Sequence, residues 1–490
     1  MFVFVSLIFL FIISIYFWIK KIYSYWSEKG FLQNSNVKFP FGSLTGVGKK
    51  FTTCEALDII YREIKGKSPV VGIYFFFKPT LMVIDPELIK KIFVQDFTYF
   101  QDRGFYHNKN SDPISANLLT LEGQEWKERR SKLSPIFSSG KMKMMFHIVD
   151  LISSRLIEAI EKDLQNSSDL EMRNWAQRFT ADNISSTAFG LDAKCLEDEN
   201  SEFLKHGRRL FDLTPFETLK FFFTIGCPNF CRKLGVRTNP KEPTDFFLKT
   251  FLETFEYREK NNIQRNDFVS LLLGLKELLT PIELAAEAFL MFAAGYETSS
   301  TLMTFILYEL ALNPDIQQKL RDEIVTRIEE NDGKLTYEML NEFKYLDMVT
   351  NETLRKYPPI PNNIRMCTKD YKIEELNLTI PKGTAIELPV YSLQHDPEYF
   401  PNPNTFDPER FNDENVKNIK QFTFFPFGEG KRQCLGLRFG LMQTKMGIAK
   451  LLINYSFSSC EKTIIPMKFV PSAPFLQPKG GLWLKVEKIL

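Results

Sequence analysis

The sequence predicts a mainly α protein with a smaller β-rich part and one N-terminal transmembrane helix. Three observations carry this. From about Glu122 to Lys356, apolar residues recur at helical spacing with few prolines. Past Pro358-Pro359 the pattern changes to short β-like runs and loops. Residues 1–19 carry no charge, with only Ser6, Ser14 and Tyr16 among apolar side chains.

As a helix, residues 1–19 span roughly 28 Å, about one hydrocarbon core. A cleaved secretory signal fits less well, because no basic n-region precedes the run and no small-x-small site follows it. Lys20, Lys21 and Lys29 come next. Positive charge on that side predicts a lumenal N-terminus and a cytosolic body, on the endoplasmic reticulum membrane. Residues 20–50 read as a linker running through Lys38-Phe39-Pro40-Phe41-Gly42, and 51–490 as one catalytic body.

Val70–Phe77 and Leu81–Ile84 read as paired strands, with Lys78-Pro79 as the turn. Asp85-Pro86 and Asn313-Pro314 each open a helix, a polar cap followed by proline in the first turn. A long apolar helix runs from about Pro281 to Leu312. Thr379-Ile380, Ala385–Val390 and Leu482–Val486 complete the β-rich part, which draws on both ends of the chain.

No Gly/Ser linker, repeat or low-complexity tract divides the 490 residues, and 47 Phe allow a large core. The 62 basic and 60 acidic residues leave a net charge of +2, which argues against a nucleic-acid partner. Seven cysteines, odd in number and scattered, suit a reducing compartment. Cys227 and Cys231 have no partners at zinc spacing and read as packing residues.

Phe427-Gly428-Glu429-Gly430-Lys431-Arg432-Gln433-Cys434-Leu435-Gly436 is the most informative segment. A thiolate ligand needs nearby positive charge and backbone N–H groups, which Arg432 and a tight turn offer. Gly428 and Gly430 free the backbone to fold around the sulfur, and Gly436 lets a flat ligand approach the next helix. The segment is not a dinucleotide fingerprint, because Gln433 stands where its third glycine belongs. Nor is it a P-loop, because Arg432 follows Lys431 where Ser or Thr is required. It resembles the haem-binding loop of the cytochrome P-450 superfamily, the haem-thiolate monooxygenases, in which Cys434 would be the axial ligand of haem b (iron protoporphyrin IX). Many relatives have Pro where Lys431 stands.

Three further motifs strengthen the resemblance, which covers residues 30–490 and implies the cytochrome P-450 fold. In Ala294-Gly295-Tyr296-Glu297-Thr298-Ser299, a mid-helix glycine costs roughly 1 kcal/mol and asks for a reason. Thr298 can bond the Ala294 carbonyl one turn earlier and open a groove. The resemblance makes this the oxygen-activation site, with Thr298 contacting dioxygen and Glu297 helping to deliver protons through water. Glu352-Thr353-Leu354-Arg355 alone reads as a surface ion pair at i, i+3. With Phe406-Asp407-Pro408-Glu409-Arg410-Phe411 it implies a buried Glu352–Arg355–Arg410 network behind the haem loop. Trp126 and Arg130 lie at i, i+4 on one helix. The resemblance assigns them, with Arg432 and Arg365, to the haem propionates.

No flavin or nicotinamide fingerprint is present, so electrons must come from a partner. The resemblance implies NADPH–P-450 reductase, sometimes with cytochrome b5. Lys127, Lys132, Lys420 and Lys431 are docking candidates, against scattered solvated lysines as the plain reading. The apolar stretch Lys220–Phe230, with Phe221-Phe222-Phe223, reads as a core helix or a membrane-dipping roof over the site. By family position, Phe105, Ile114, Phe289, Phe292, Ile360 and Phe475 line the pocket for an apolar substrate.

Asp85-Pro86-Glu87-Leu88-Ile89-Lys90 and Ser138-Ser139-Gly140-Lys141-Met142 resemble the insect microsomal branch called family six, whose members oxidise plant toxins and insecticides. A lipophilic xenobiotic is therefore the expected substrate. The alternatives are an endogenous hormone or lipid hydroxylase, a reductase-independent P-450-like isomerase or dehydratase, and a non-catalytic haem sensor.

Overall fold

This computed structural model describes residues 2–473 and 475–489, without the side chains of Phe2, Val3, Pro215 and Phe222. Met1 of the expected anchor and the Phe222 ring of the apolar stretch lie outside the described residues.

An anchor helix, Phe2–Tyr23, stands at the N-terminus with Lys20 and Lys21 in its last turn. Its span Phe4–Tyr23 has a mean hydropathy of 2.0 and none of it is buried, although Trp18 and Tyr23 near its end meet the Phe77 ring and Tyr23 meets Tyr74 edge-on at 5.1 Å. Chain from Trp26 onward is tied to the first sheet. Trp26 is fully buried and its Nε1–H donates to the Ile73 carbonyl at 3.2 Å. Gly72 makes room for it, because a Cβ there would lie 2.2 Å from the indole.

The first sheet has the order β1 (Val70–Phe75), β2 (Lys78–Val83), β7 (Ala385–Leu388), β4 (Asn363–Met366). β2 runs parallel to β7, with Thr80 opposite Ala385; β4 pairs antiparallel with β7, with Arg365 opposite Ile386. The β-rich part thus joins both ends of the chain. Between β4 and β7, β5 (Tyr371–Ile373) and β6 (Leu378–Ile380) form a two-stranded ribbon. The third sheet is β3 (Asp169–Glu171), β9 (Trp483–Lys488), β8 (Tyr455–Ser459).

Two boundaries differ from expectation. The β1–β2 turn falls at Phe76-Phe77, with Phe76 at φ +56°, while Lys78 and Pro79 belong to β2. Pro79 is tolerated because the β2–β7 ladder begins only at Thr80. β7 ends at Leu388, and Val390 opens the short helix Val390–Gln394.

The central helix, Pro281–Leu312, starts where expected, with a capping box in which Glu283 N–H donates to the Thr280 hydroxyl. It packs most extensively on Met172–Ile184, Leu437–Asn454 and Lys241–Lys260, and also on Lys344–Lys356. Asp85 caps Pro86–Lys90 through Leu88 N–H at 2.9 Å. Asn313 precedes Pro314–Glu329 but makes no side-chain cap, its amide donating back to the Glu309 carbonyl. A large helical core surrounds the central helix, and a second core lies between the first sheet and the helix Thr53–Ile64.

Candidate active site

The cysteine loop is built by its glycines. Gly428 and Gly430 sit at φ +69° and +68°. A Cβ on Gly430 would lie 2.3 Å from the Phe93 carbonyl oxygen, so that loop can close only with glycine there. Cys434 N–H donates to the Phe427 carbonyl at 2.9 Å. Gly436 ends the loop at the start of Leu437–Asn454, where an added Cβ would meet only Phe137 in ordinary contact. Burial raises the Cys434 thiol pKa, against the Gly436 N–H and the charges of Arg103 and Arg130. The cations that act on the sulfur are therefore Arg103 and Arg130, not Arg432 as its place in sequence suggests. The Cys434 side chain nevertheless remains accessible.

The central helix has a matching accessible stripe. Ala294 is exposed and Leu290 and Thr298 are half-buried, one helical turn apart, while Phe292, Tyr296 and Glu297 between them, and Phe289 just before, are buried. Thr298 Oγ1 donates to the Ala294 carbonyl at 2.5 Å, as expected. On its neighbouring face, Gln443 from the helix after Cys434 donates to the Gly295 carbonyl at 3.0 Å and to Ser299 Oγ at 2.7 Å.

Four arginines gather beside the cysteine loop. Arg432 is fully engaged: it donates to the Gln101, Leu118 and Leu121 carbonyls and stacks on Trp126 at 3.9 Å. Burial and then Arg103 lower its pKa to about 9. Arg130 gives Nη1 to the Gln433 carbonyl at 3.0 Å. Arg103 gives Nη2 to the Arg432 carbonyl at 2.9 Å. Arg365 is fully buried, bonds only Asn363 Oδ1 and the Ile364 carbonyl, and leaves Nε and Nη2 without partners. Burial, then Arg103 and Arg432, pull its pKa well below the usual guanidinium range. A buried cation with free donors among like charges is strongly unfavourable unless an anion belongs there. Arg432 has Asp102 at 3.6 Å, but Arg365 keeps free donors, and that cation beside accessible surface at Cys434 and along the Ala294 stripe fits a flat apolar group carrying carboxylates. Haem is such a group.

Behind this site, Glu352 and Arg355 are both fully buried and joined twice, at 2.7 and 2.8 Å. Arg355 also donates to the Gln394 and Pro403 carbonyls, and Asp407 N–H donates to Glu352 at 2.9 Å. Arg410 Nε stands 3.4 Å from Glu352 without hydrogen-bond geometry. The pair is firm, and Arg410 joins it through charge alone.

Glu297 lies one residue off the open stripe and turns away from it. Its carboxylate accepts from Arg173 at 2.8 Å, and from Gln177 and Gln477 at 3.2 Å each. Among the pocket candidates, Phe105 and Phe475 are half-buried and Ile360 is exposed. Ile114 and Phe292 are fully buried and Phe289 nearly so, each packed in the helical core, with Phe292 4.4 Å from Phe247. These three present no open surface here, Phe289 and Phe292 being packed against Phe247 and Ile114 lying in the helical core. Arg103, Leu290, Gln443 and Gln477 were not singled out in the sequence. Their neighbourhoods are built by contacts between segments far apart in the chain, and no local pattern marks them. Cys231 is buried as expected, but Cys227 is exposed and is not a packing residue.

Phe216, Leu219, Phe223 and Phe230 are all exposed, making an uncovered apolar face on and after the helix Pro215–Gly226. A core helix is therefore excluded. Lys127, Lys420 and Lys431 are exposed, whereas Lys132 is bound to the Leu278 carbonyl.

The cysteine loop, the arginine cluster and the stripe on the central helix together define a haem-thiolate protein. A sequence profile for cytochrome P450 matches residues 39–486. The chain is 40% identical to "Probable cytochrome P450 6a14" of Drosophila melanogaster over 490 residues, covering 96% of each. It is 38% identical to "Cytochrome P450 6A1" of Musca domestica, over 97% of this chain and 96% of that one. With "Cytochrome P450 6a2" of Drosophila melanogaster the identity is 37%, over 95% and 96%. The chain belongs to the cytochrome P450 family, and is a monooxygenase whose cofactor is haem.

Proposed function

We propose that the protein inserts one oxygen atom of O2 into lipophilic substrates that reach it from a membrane, with electrons from NADPH through NADPH–cytochrome P-450 reductase. The balance is R–H + O2 + NADPH + H+ giving R–OH + H2O + NADP+. What supports the lipophilic class is the uncovered apolar face around Phe216–Phe230 in a chain with an apolar anchor helix. The body lies on the cytosolic side of the endoplasmic reticulum membrane, because Lys20 and Lys21 follow the span.

Cys434 would hold the haem iron through its thiolate. Arg365, Arg130 and Arg103 bind the propionates through their free donors, Arg432 adds charge, and Trp126 holds Arg432 by stacking. Phe427, Gly428 and Gly436 shape the loop. Ala294 leaves room on the facing helix. Bound there, haem supplies the redox-active iron at which dioxygen is activated. Thr298 presents its hydroxyl to the open side of the helix, and Glu297 helps deliver protons towards it through water. Glu352, Arg355 and Arg410 keep the cysteine loop in place. Lys127, Lys420 and Lys431 offer an acidic partner its contacts, with cytochrome b5 as a second electron donor.

The full chain, reconstituted with purified reductase in vesicles, should oxidise members of a panel of plant toxins and insecticides. One NADPH should be consumed for each product formed. Turnover restricted to one sterol or fatty acid would identify an endogenous hydroxylase instead. Peroxide rearrangement without reductase would identify an isomerase.

A further inference from the structure

The helix Gly123–Leu133 carries Trp126 and Arg130 beside the cysteine loop, while Arg129, next to them in sequence, reaches the central helix instead. Arg129 is buried and pairs with two carboxylates there: its Nη1 donates to Glu287 at 2.7 Å and its Nη2 to Glu283. The Glu287 side chain is 1% exposed, whereas that of Glu283 is 39% exposed and also closes the capping box of the helix. The second oxygen of Glu287 accepts from Leu118 N–H at 3.2 Å.

Leu118 belongs to a tight turn. Leu121 N–H and Thr120 N–H donate to the Asn117 carbonyl at 2.9 and 3.0 Å, and Leu119 N–H donates to Asn117 Oδ1 at 3.1 Å. Leu118 and Leu121 are therefore placed as one unit, and their carbonyls are two of the three to which Arg432 donates. One carboxylate thus ties the central helix to both segments that frame the arginine cluster, the turn under Arg432 and the helix of Arg130. Glu287 lies seven residues before Ala294, about two helical turns, on the same face as the accessible stripe.

We propose that Glu287 is a positioning residue for haem: through Leu118 and Arg129 it holds Arg432 and Arg130 in register with the cysteine loop. This rests on the reading that these arginines serve the haem carboxylates. Glu287 does not touch haem and acts through its two partners. Both of its oxygens accept from N–H donors, so a proton on either one faces a donor and one bond is lost. Glu283 still balances the Arg129 charge when that happens, so what changes is position rather than charge. The charged groups that face Glu287 are Arg129 and, on its own helix, Glu283, on which Lys109 acts in turn. The segment 113–121 brings no charged side chain. Burial, helped by Glu283, raises the Glu287 pKa from 4.5 to about 7, against Arg129 and the Leu118 N–H. The carboxylate, which is the form that makes both bonds, is therefore half-populated at about pH 7, and haem is held more tightly above it.

The test follows haem transfer from the full-length holoenzyme to excess apomyoglobin between about pH 6 and about pH 8. The wild-type chain is compared with Glu287→Gln, Glu283→Gln and Arg130→Leu. Wild-type transfer should slow several-fold as pH rises, with its midpoint at about pH 7. Glu287→Gln, which keeps the shape but only one acceptor, should lose the slope and transfer haem throughout as fast as wild type does at the acid end. Glu283→Gln should keep the slope, and Arg130→Leu should speed transfer at every pH. A merely structural role predicts the opposite sign. A buried carboxyl with a raised pKa contributes stability that is full below about pH 4.5 and lost as pH rises to about 7, so haem would then be held less well at the upper end. A wild-type profile that is flat, or that slopes that way, overturns the proposal without any variant. A Glu287→Gln protein that keeps the wild-type slope overturns it too, whatever its rate. If Arg130→Leu transfers haem at the wild-type rate, the arginine reading itself fails and the proposal falls with it. If Arg130→Leu speeds transfer while Glu287→Gln matches wild type, only the role of Glu287 is overturned.

Discussion

At Cys434 the sequence and the structure meet on one atom. Replacing the sulfur removes the ligand and leaves the loop, because the turn depends on Gly428, Gly430 and the Cys434 N–H to Phe427 bond. Cys434→Ser should therefore abolish the red-shifted ferrous–CO Soret band, while Cys367→Ser and Cys460→Ser keep it. Thr298 makes a different kind of claim. Its hydroxyl donates to the Ala294 carbonyl and faces the accessible side. Thr298→Ala should hold haem and substrate nearly normally yet divert NADPH into hydrogen peroxide, whereas Thr301→Ala on the buried side keeps product per NADPH. An unchanged ratio in Thr298→Ala would reduce the residue to packing. Arg365 gives a test with opposite signs for the two forms of the chain. Without an anion its guanidinium is an uncompensated buried charge. Arg365→Met should stabilise the haem-free protein, and should speed haem transfer to apomyoglobin by about ten-fold, the loss of a charged hydrogen bond. Arg103 was not legible in the sequence, since it sits in a loop with no motif and meets Cys434 only in three dimensions.

Among the elements, helices were the easier reading. The central helix was found with its ends intact because Thr280, Pro281 and Glu283 form a capping box that is visible in sequence. The β1–β2 turn was misplaced because proline normally marks turns, and only the parallel β2–β7 register shows why Pro79 can stay in a strand. The Glu352–Arg355 pair was legible as a spacing, but its strength comes from full burial and from carbonyls of Gln394 and Pro403, which sequence spacing does not reveal. Glu352→Ala should cost about 3–5 kcal/mol, as breaking a buried pair does. Arg410→Ala should cost about 1 kcal/mol, since it meets Glu352 by charge alone and adds one hydrogen bond, to the Asn402 carbonyl. On β7, Glu387 is a buried carboxyl whose pKa burial pushes up to about 8 from 4.5, with the Asn362 amide opposing the rise. Its folded form binds the proton more tightly, so its contribution to stability is full below about pH 4.5 and is lost as pH rises to about 8. The midpoint of thermal unfolding should fall across that window, and Glu387→Gln should flatten the fall.

At the scale of the whole molecule, the question is where the membrane segment stops and the body starts. The anchor helix ends at Tyr23 and leaves its apolar span unburied, meeting the body only near its end, where Trp18 and Tyr23 reach Phe77 and Tyr74. Three residues later, Trp26 is fully buried over Gly72, where no other residue could accommodate the ring. The body therefore includes chain well before residue 51, and truncations should divide sharply. Deleting residues 2–22 should leave a haem-binding protein with a normal ferrous–CO band. It should still sediment partly with vesicles, because the apolar face at Phe216, Leu219, Phe223 and Phe230 remains uncovered. Changing Phe216 and Phe223 to serine in that truncated chain should bring it fully into solution. Deleting residues 2–30 removes Trp26 as well. Loss of a buried tryptophan costs about 3–5 kcal/mol, so this longer deletion should unfold earlier on heating and lose haem. In the intact chain, protease added to sealed microsomes should digest the body if the proposed topology holds, with Lys20 and Lys21 after the span keeping that side in the cytosol. Full protection would reverse the topology. Equal stability of the two truncations would show that Trp26 belongs to the anchor and that the first sheet stands without it.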